Sequence, residues 1–171
     1  MLCYPKMYQK DIFKINYDKL KEKNIKCLIF DLDNTLGLID QEYIDEKTKS
    51  FLHKLKNDFT IVIISNNTKE RVKKYADMLE CDYVYSALKP LNKGFKQIRK
   101  RYDLDKKEMA MIGDQLITDI LGANLYKIYP ILVDPMAKKD LKITYFNRFL
   151  ERKVLKKYKR KNIMKKGEYY D

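Results

Sequence analysis

Two carboxylates, Asp31 and Asp33, leave the end of the apolar run Cys27-Leu28-Ile29-Phe30, within the stretch Asp31-Leu32-Asp33-Asn34-Thr35-Leu36. Side chains two apart on a strand point the same way. At a strand's C-terminal end they can quit the hydrophobic faces and enter the crevice where open α/β sheets bind ligands. Other polar positions follow apolar runs in the same manner: Ser65 after Thr60 to Ile64, Lys89 shortly after Tyr83 to Tyr85, and Asp114 after Met109 to Ile112. In a parallel sheet all of these strand ends converge. Three acids, a hydroxyl and a lysine on one sheet edge suit a divalent cation and a phosphoryl group. Mg2+ prefers oxygen ligands, and a lysine neutralises charge on the phosphoryl oxygens as the P–O bond breaks.

The elements that must position these groups are short apolar runs alternating with amphipathic segments, a pattern of βα units and a mostly parallel sheet. Strands are expected at Ile25 to Phe30, Thr60 to Ile64, Tyr83 to Tyr85, Met109 to Ile112 and Ile128 to Val133. Helical periodicity runs over Asp45 to Asn57, Lys69 to Glu80 and Lys93 to Tyr102. A shorter helix is expected from Gln115 to Ala123, with Gly122 near its end, and a final one over Lys138 to Tyr158. The N-terminal stretch to Asn24 carries Ile12, Phe13, Ile15 and Leu20 and is expected to dock on the body.

The motifs Asp-x-Asp-x-Thr-Leu (31–36), Ser65-Asn66-Asn67, Lys89-Pro90 and Gly113-Asp114-Gln115-Leu116-Ile117-Thr118-Asp119, in that order, resemble the four ordered motifs of the haloacid dehalogenase (HAD) superfamily of phosphatases. The resemblance is to its IIIA branch, YqeG-like and related to mitochondrial phosphatidylglycerophosphate phosphatases, and it spans about residues 10–158. It implies a three-layer α/β/α Rossmann-like fold and a set of roles. Asp31 would be the nucleophile that forms an aspartyl-phosphate, and Asp33 the general acid and base, its backbone carbonyl rather than its side chain reaching the metal. Ser65 and the amide of Asn66 would hold phosphoryl oxygens, and Lys89 would bridge nucleophile and phosphoryl group. Mg2+ would be held by Asp31, Asp33 and Asp114. Asp119 would act behind them, orienting Lys89 or the metal's waters.

At 171 residues, 45% hydrophobic and 36% charged, the chain reads as one globular domain, with a core over about 10–137 and a basic helix and tail over 138–171. Its three cysteines, Cys3, Cys27 and Cys81, are scattered and odd in number, which suggests neither a disulfide framework nor a zinc site and fits a reducing cytoplasm. No apolar stretch approaches membrane-span length, so the expectation is a soluble or peripheral protein. Asn66-Asn67-Thr68 fits a glycosylation acceptor only by accident in such a setting, and His53 sits inside a helical pattern with no chemical partner in view. Neither GxxxxGK[ST] nor GxGxxG occurs, so nucleotide binding has no motif behind it.

Related enzymes often carry a cap domain between the first and second motifs or between the second and third, and neither gap here has room for one. The site should be open, which suits a phosphate carried on something large. Net charge is +13, and the C-terminal residues 138–171 hold 13 basic and 4 acidic side chains of the total. Leu141, Ile143, Tyr145, Phe146, Phe149, Leu150 and Val154 interleave there with Lys142, Arg148, Arg152, Lys153, Lys156 and Lys157. That pattern fits an anionic phospholipid surface, with about 1 kcal/mol of attraction per charge, or an apolar stripe packed on the body beneath solvated charges. Phosphatidylglycerophosphate is the substrate the resemblance implies. A phosphatase of nucleic-acid ends, and a non-catalytic RNA- or ribosome-binding protein using the basic tail, are the competing readings.

Overall fold

The computed structural model describes residues 2–137 and 144–171, the latter segment by backbone alone over 144–147. Six strands form one sheet: β1 (Met7–Gln9), β2 (Cys27–Phe30), β3 (Thr60–Ile64), β4 (Asp82–Val84), β5 (Met109–Gly113) and β6 (Tyr129–Val133). Their spatial order is β1-β6-β5-β2-β3-β4, and every pairing is parallel. β2 and β5 are buried on both faces, which is why Cys-Leu-Ile-Phe and Met-Ala-Met-Ile-Gly read as unbroken apolar runs instead of alternating ones. The chain steps from β2 outward to β3 and β4, then returns to the other side of β2 as β5. The β2–β5 boundary is therefore the switch point where such sheets bind ligands.

Helices cover both faces. On one, α1 (Tyr17–Glu22), α2 (Glu46–Leu55) and α3 (Lys69–Leu79) place Leu20, Leu52, Leu55, Val72, Tyr75, Ala76 and Leu79 against Leu28, Phe30, Ile61, Ile63 and Ile112. On the other, α4 (Lys93–Arg101) and α5 (Leu121–Tyr126) place Phe95, Ile98, Ala123 and Tyr126 against Cys27, Ile29, Val62, Ile64 and Met111. Alternate strand residues thus serve the two layers, as a period of two requires. Asp45 starts α2 by accepting from the Thr48 amide at 2.9 Å. Only one helix separates β2 from β3 and one separates β3 from β4, so no cap interrupts the domain.

Ile12, Ile15 and Leu20 are buried as expected of a docked N-terminal stretch. That stretch also supplies β1, which the sequence did not signal: three residues are too few to display alternation, and their pairing with β6 is purely tertiary. Gly122 was expected near a helix end but sits inside α5, where an added Cβ would lie 3.2 Å from both Phe95 Cε2 and Pro90 Cα. Close packing calls for the glycine. The helix ends instead at Lys127, in the left-handed region at φ 66°. A π-turn, Leu116–Ile120, precedes α5.

The last helix, α6, runs Thr144–Arg160, while the expected start at Lys138 and the residues Leu141, Lys142 and Ile143 lie outside the described segment. Val154, Leu155, Tyr158 and Met164 pack with Tyr8, Leu116, Ile120 and Leu132, so part of the apolar stripe faces the body. Phe149 does not; it is exposed, with Lys153 Nζ 4.5 Å from its ring centre. Beyond α6 the chain returns to the sheet, where Tyr170 forms an antiparallel bridge to Tyr8 with backbone bonds of 2.8 and 2.9 Å.

Candidate active site

Asp31 extends β2 by one residue, its amide donating to Ile112 O of β5 at 2.8 Å. After it the chain curls into a turn: the amides of Leu36 and Gly37 donate to Leu32 O at 2.9 and 3.2 Å, and Asn34 takes the left-handed φ of 64° that asparagine tolerates. The curl buries Leu32 and Leu36 in the core and separates the two carboxylates. Asp31 remains at the strand end, while Asp33 turns aside. Its Oδ1 receives Arg71 of α3 at 2.7 and 2.9 Å, and its Oδ2 receives Asn67 Nδ2 at 3.0 Å. Arg71 also donates to Gln41 O and Leu38 O, each at 2.9 Å, so one guanidinium ties Asp33 to the loop between the first motif and α2.

Lys89 is the centre of the buried charge. Its Nζ donates to Asp31 Oδ1 at 2.5 Å, Asp119 Oδ1 at 2.7 Å and Ile64 O at 3.3 Å, satisfying its three protons. The Asn66 side chain holds the lysine's backbone from both ends, accepting from Lys89 N at 2.7 Å and donating to Lys89 O at 3.1 Å. Ser65 is buried, and its Oγ accepts from the Asn67 amide at 3.1 Å. Asp114 follows β5, and Asp119 comes back from the π-turn to accept from the Gln115 amide at 3.0 Å. Gly113 makes this return possible, because a Cβ there would stand 2.3 Å from Asp119 Oδ2.

Asp31, Asp114 and Asp119 each offer a carboxylate oxygen such that the three lie within 4.8 Å of one another, all buried. Asp119, expected behind the metal, thus contributes to the cluster while also anchoring Lys89. The Asp33 side chain stands apart, on Arg71. Burial, with Asp119 and Asp33 close by, pushes Asp31 up to about 7 even though Lys89 works against the rise. Burial also lifts Asp114 well above the usual carboxylate range, with Asp31 and Asp119 adding to it and Arg148 opposing. Burial alone would lower Lys89, but Asp119 and Asp31 outweigh it and raise it, so the ammonium stays charged. Asp114 Oδ1 is buried with no hydrogen-bond partner among the described residues. An orphaned carboxylate oxygen beside two more acids is a place built for a cation, and hard oxygen donors suit Mg2+.

Arg148 completes the surroundings from α6. It pairs with Asp114 Oδ2, donates to Asp114 O at 3.2 Å and pairs with Glu151 at 2.9 Å. The sequence shows Arg148 only as one of many basic residues in the C-terminal helix. Arg71 was equally inconspicuous, although it lies one turn into the helix that follows the Ser65-Asn66-Asn67 motif. A concavity of about 670 Å3 lined by Lys56, Thr60, Asp82 and Tyr102 lies at the opposite ends of β3 and β4 and contains none of these groups.

The model of a family described as mitochondrial PGP phosphatase matches residues 1–136. The chain belongs to that family. That membership makes it a phosphatase. Over 158 residues it is 40% identical to the probable phosphatase YqeG of Bacillus subtilis, covering 92% of each chain. It is 26% identical over 171 residues to the chloroplastic and mitochondrial phosphatidylglycerophosphate phosphatase 1 of Arabidopsis thaliana, covering 93% of this chain and 49% of that protein. An uncharacterized Listeria monocytogenes protein has the same fold, with a TM-score of 0.54 at 19% identity, over 76% of this chain and 99% of that one. No helix among the described residues is long and apolar enough to cross a membrane.

Proposed function

We propose that the whole 171-residue chain works as one Mg2+-dependent phosphomonoesterase whose nucleophile is Asp31. The observation that carries this reading is the buried triangle of Asp31, Lys89 and Asp119, with the orphaned Asp114 Oδ1 beside it. Asp31, Asp114 and the backbone of Asp33 would hold the cation, with Asp119 close enough to share it. A bound cation supplies positive charge to the phosphoryl oxygens and favours the ionised form of Asp31. Asp31 attacks phosphorus, the P–O bond to the leaving group breaks, and Asp33 gives that oxygen its proton. Asp33 then takes a proton from water, which attacks the phosphorus of the aspartyl-phosphate and returns Asp31 and inorganic phosphate. Lys89, Ser65 Oγ and the Asn66 amide hold the phosphoryl oxygens throughout.

Phosphatidylglycerophosphate is the substrate this reading favours, supported by the family's description and by a site without a cap. The outward side of α6 adds to it. Arg152, Lys153, Lys156, Lys157, Lys159 and Arg160 are all exposed there, with Lys153 beside the exposed Phe149. At about 1 kcal/mol per engaged charge, four of them would contribute roughly 4 kcal/mol on an anionic leaflet, enough for reversible docking of a cytoplasmic protein. The test is phosphate release by purified protein with Mg2+ against phosphatidylglycerophosphate in vesicles, 5′-phosphorylated oligonucleotides and small phosphate esters. Turnover confined to the vesicles is expected; turnover confined to the oligonucleotides would reject the lipid assignment and leave the phosphatase standing.

A further inference from the structure

Asp114 is gripped on one side only. Its Oδ2 is taken by Arg148, its Oδ1 lies buried without a partner, and one of its carboxylate oxygens lies within 4.8 Å of an oxygen of Asp31 and of Asp119. A carboxylate can rotate about its Cβ–Cγ bond, and that torsion is broad. Whatever fixes it decides which lone pair faces the cluster. Arg148 fixes it with one guanidinium nitrogen on Oδ2 and another on the carbonyl oxygen of the same residue. The guanidinium is fixed in turn by Glu151, one turn along α6. Glu151 reaches back to the π-turn, accepting from the Ile117 amide at 3.4 Å, between Asp114 and Asp119. Helix α6 is thereby keyed to the loop that carries two of the three clustered acids, and both key residues lie beyond residues 1–136 that the family model matches.

We infer that Arg148 is a positioning residue for the cation site: by holding Asp114 Oδ2 it presents Asp114 Oδ1 to the ion. The inference rests on the reading of Asp114 as a cation ligand. A guanidinium this close would by Coulomb's law also repel the ion, and that repulsion has to be weighed. Glu151 largely cancels it, because with a contact of 2.9 Å the pair acts at the cluster as a dipole and not as a net charge. The residues around the ion then balance without further help. Asp31, Asp114 and Asp119 carry three negative charges against Lys89 and a divalent ion, and the Arg148–Glu151 pair adds zero. Positioning therefore outweighs repulsion, and hydrogen-bonding partners of this kind set metal affinity by about 10- to 100-fold.

The experiment is calorimetric titration of the full chain with Mg2+, and with Mn2+ as a second probe, for wild type, Asp114→Asn, Arg148→Lys and the double variant Arg148→Met/Glu151→Met. The double variant leaves net charge unchanged and keeps similar volume, and it removes the grip on Asp114 together with the Glu151 contact to the Ile117 amide. It is expected to bind Mg2+ about 10- to 100-fold more weakly, with kcat recovering at saturating Mg2+. Arg148→Lys keeps the charge but not the fork, and is expected to fall between the two. If the double variant bound Mg2+ as tightly as wild type or more tightly, the guanidinium would be a mere occupant of the carboxylate and the inference would be overturned. If wild type bound no cation, or Asp114→Asn bound it unchanged, the ligand assignment itself would fail and this inference with it.

Discussion

Replacing Lys89 by methionine removes the one ammonium that stands between two buried carboxylates. The lysine side chain is 2% exposed, and its partners Asp31 and Asp119 are 9% and 1% exposed, so solvent screens little of the change. Methionine fills similar volume but leaves Asp31 and Asp119 facing one another, with Asp114 within 4.8 Å. Breaking a buried ion pair by removing one member costs about 3–5 kcal/mol, because the remaining charge is buried unpaired. In a chain of this length each kcal/mol corresponds to about 2–4 °C, so Tm should fall by roughly 6–20 °C. The assay is urea unfolding of wild type and Lys89→Met with chelator present, repeated with excess Mg2+. The cation should restore part of the loss by supplying positive charge to the same carboxylates, by about 2.7 kcal/mol at a hundredfold excess over its Kd. Phosphate release should stay lost even where stability returns. An unfolding free energy within about 0.5 kcal/mol of wild type in chelator would refute the reasoning, since it would mean that Lys89 does not carry the balance of the cluster.

Asp31 titrates at about 7 in the folded chain against 3.8 when exposed, so the folded state holds an extra proton between those values. In chelator, stability should therefore fall as pH rises from about 4 to 7 and level off above, and Asp31→Asn should remove that slope and exceed wild type at pH 8 by up to roughly 4 kcal/mol; parallel urea-midpoint curves for the two proteins would sink this. Asp33→Asn should lower kcat by about 10²- to 10⁴-fold while leaving calorimetric Mg2+ affinity near wild type, and a large loss of affinity would place the side chain on the metal instead. Gly113→Ala should cost about 1–3 kcal/mol and most of the activity, because its methyl would meet the Asp119 carboxylate; a wild-type Tm would contradict that geometry.

Asp31 and Asp114 were legible because each follows an apolar run, and a parallel sheet brings such strand ends together whatever the loops between them do. Lys89 was legible for the same reason, and by its Pro90 neighbour. The side chains that hold these groups in place were not. Arg71 and Arg148 sit in helices dense with lysine and arginine, and only the rotation of α3 and α6 against the sheet selects one cation from each, for the half-buried Asp33 and the buried Asp114. The motif signals only the backbone amide of Asn66, whereas its side chain clamps Lys89 across 23 residues of sequence. Asp119 anchors Lys89, a role in keeping with the expectation, while its closeness to Asp31 and Asp114 comes from the π-turn, which spacing cannot register. β1 is silent in the sequence because a three-residue edge strand carries almost no periodic signal.

The central claim is that Asp31 is the nucleophile of a cation-dependent phosphatase. Its most direct test is phosphate release by wild type and Asp31→Asn at saturating Mg2+, with a cooperative urea transition verifying that each is folded. The geometry predicts release by wild type that chelator abolishes, and release by Asp31→Asn indistinguishable from the buffer blank. Wild-type turnover by Asp31→Asn would contradict it.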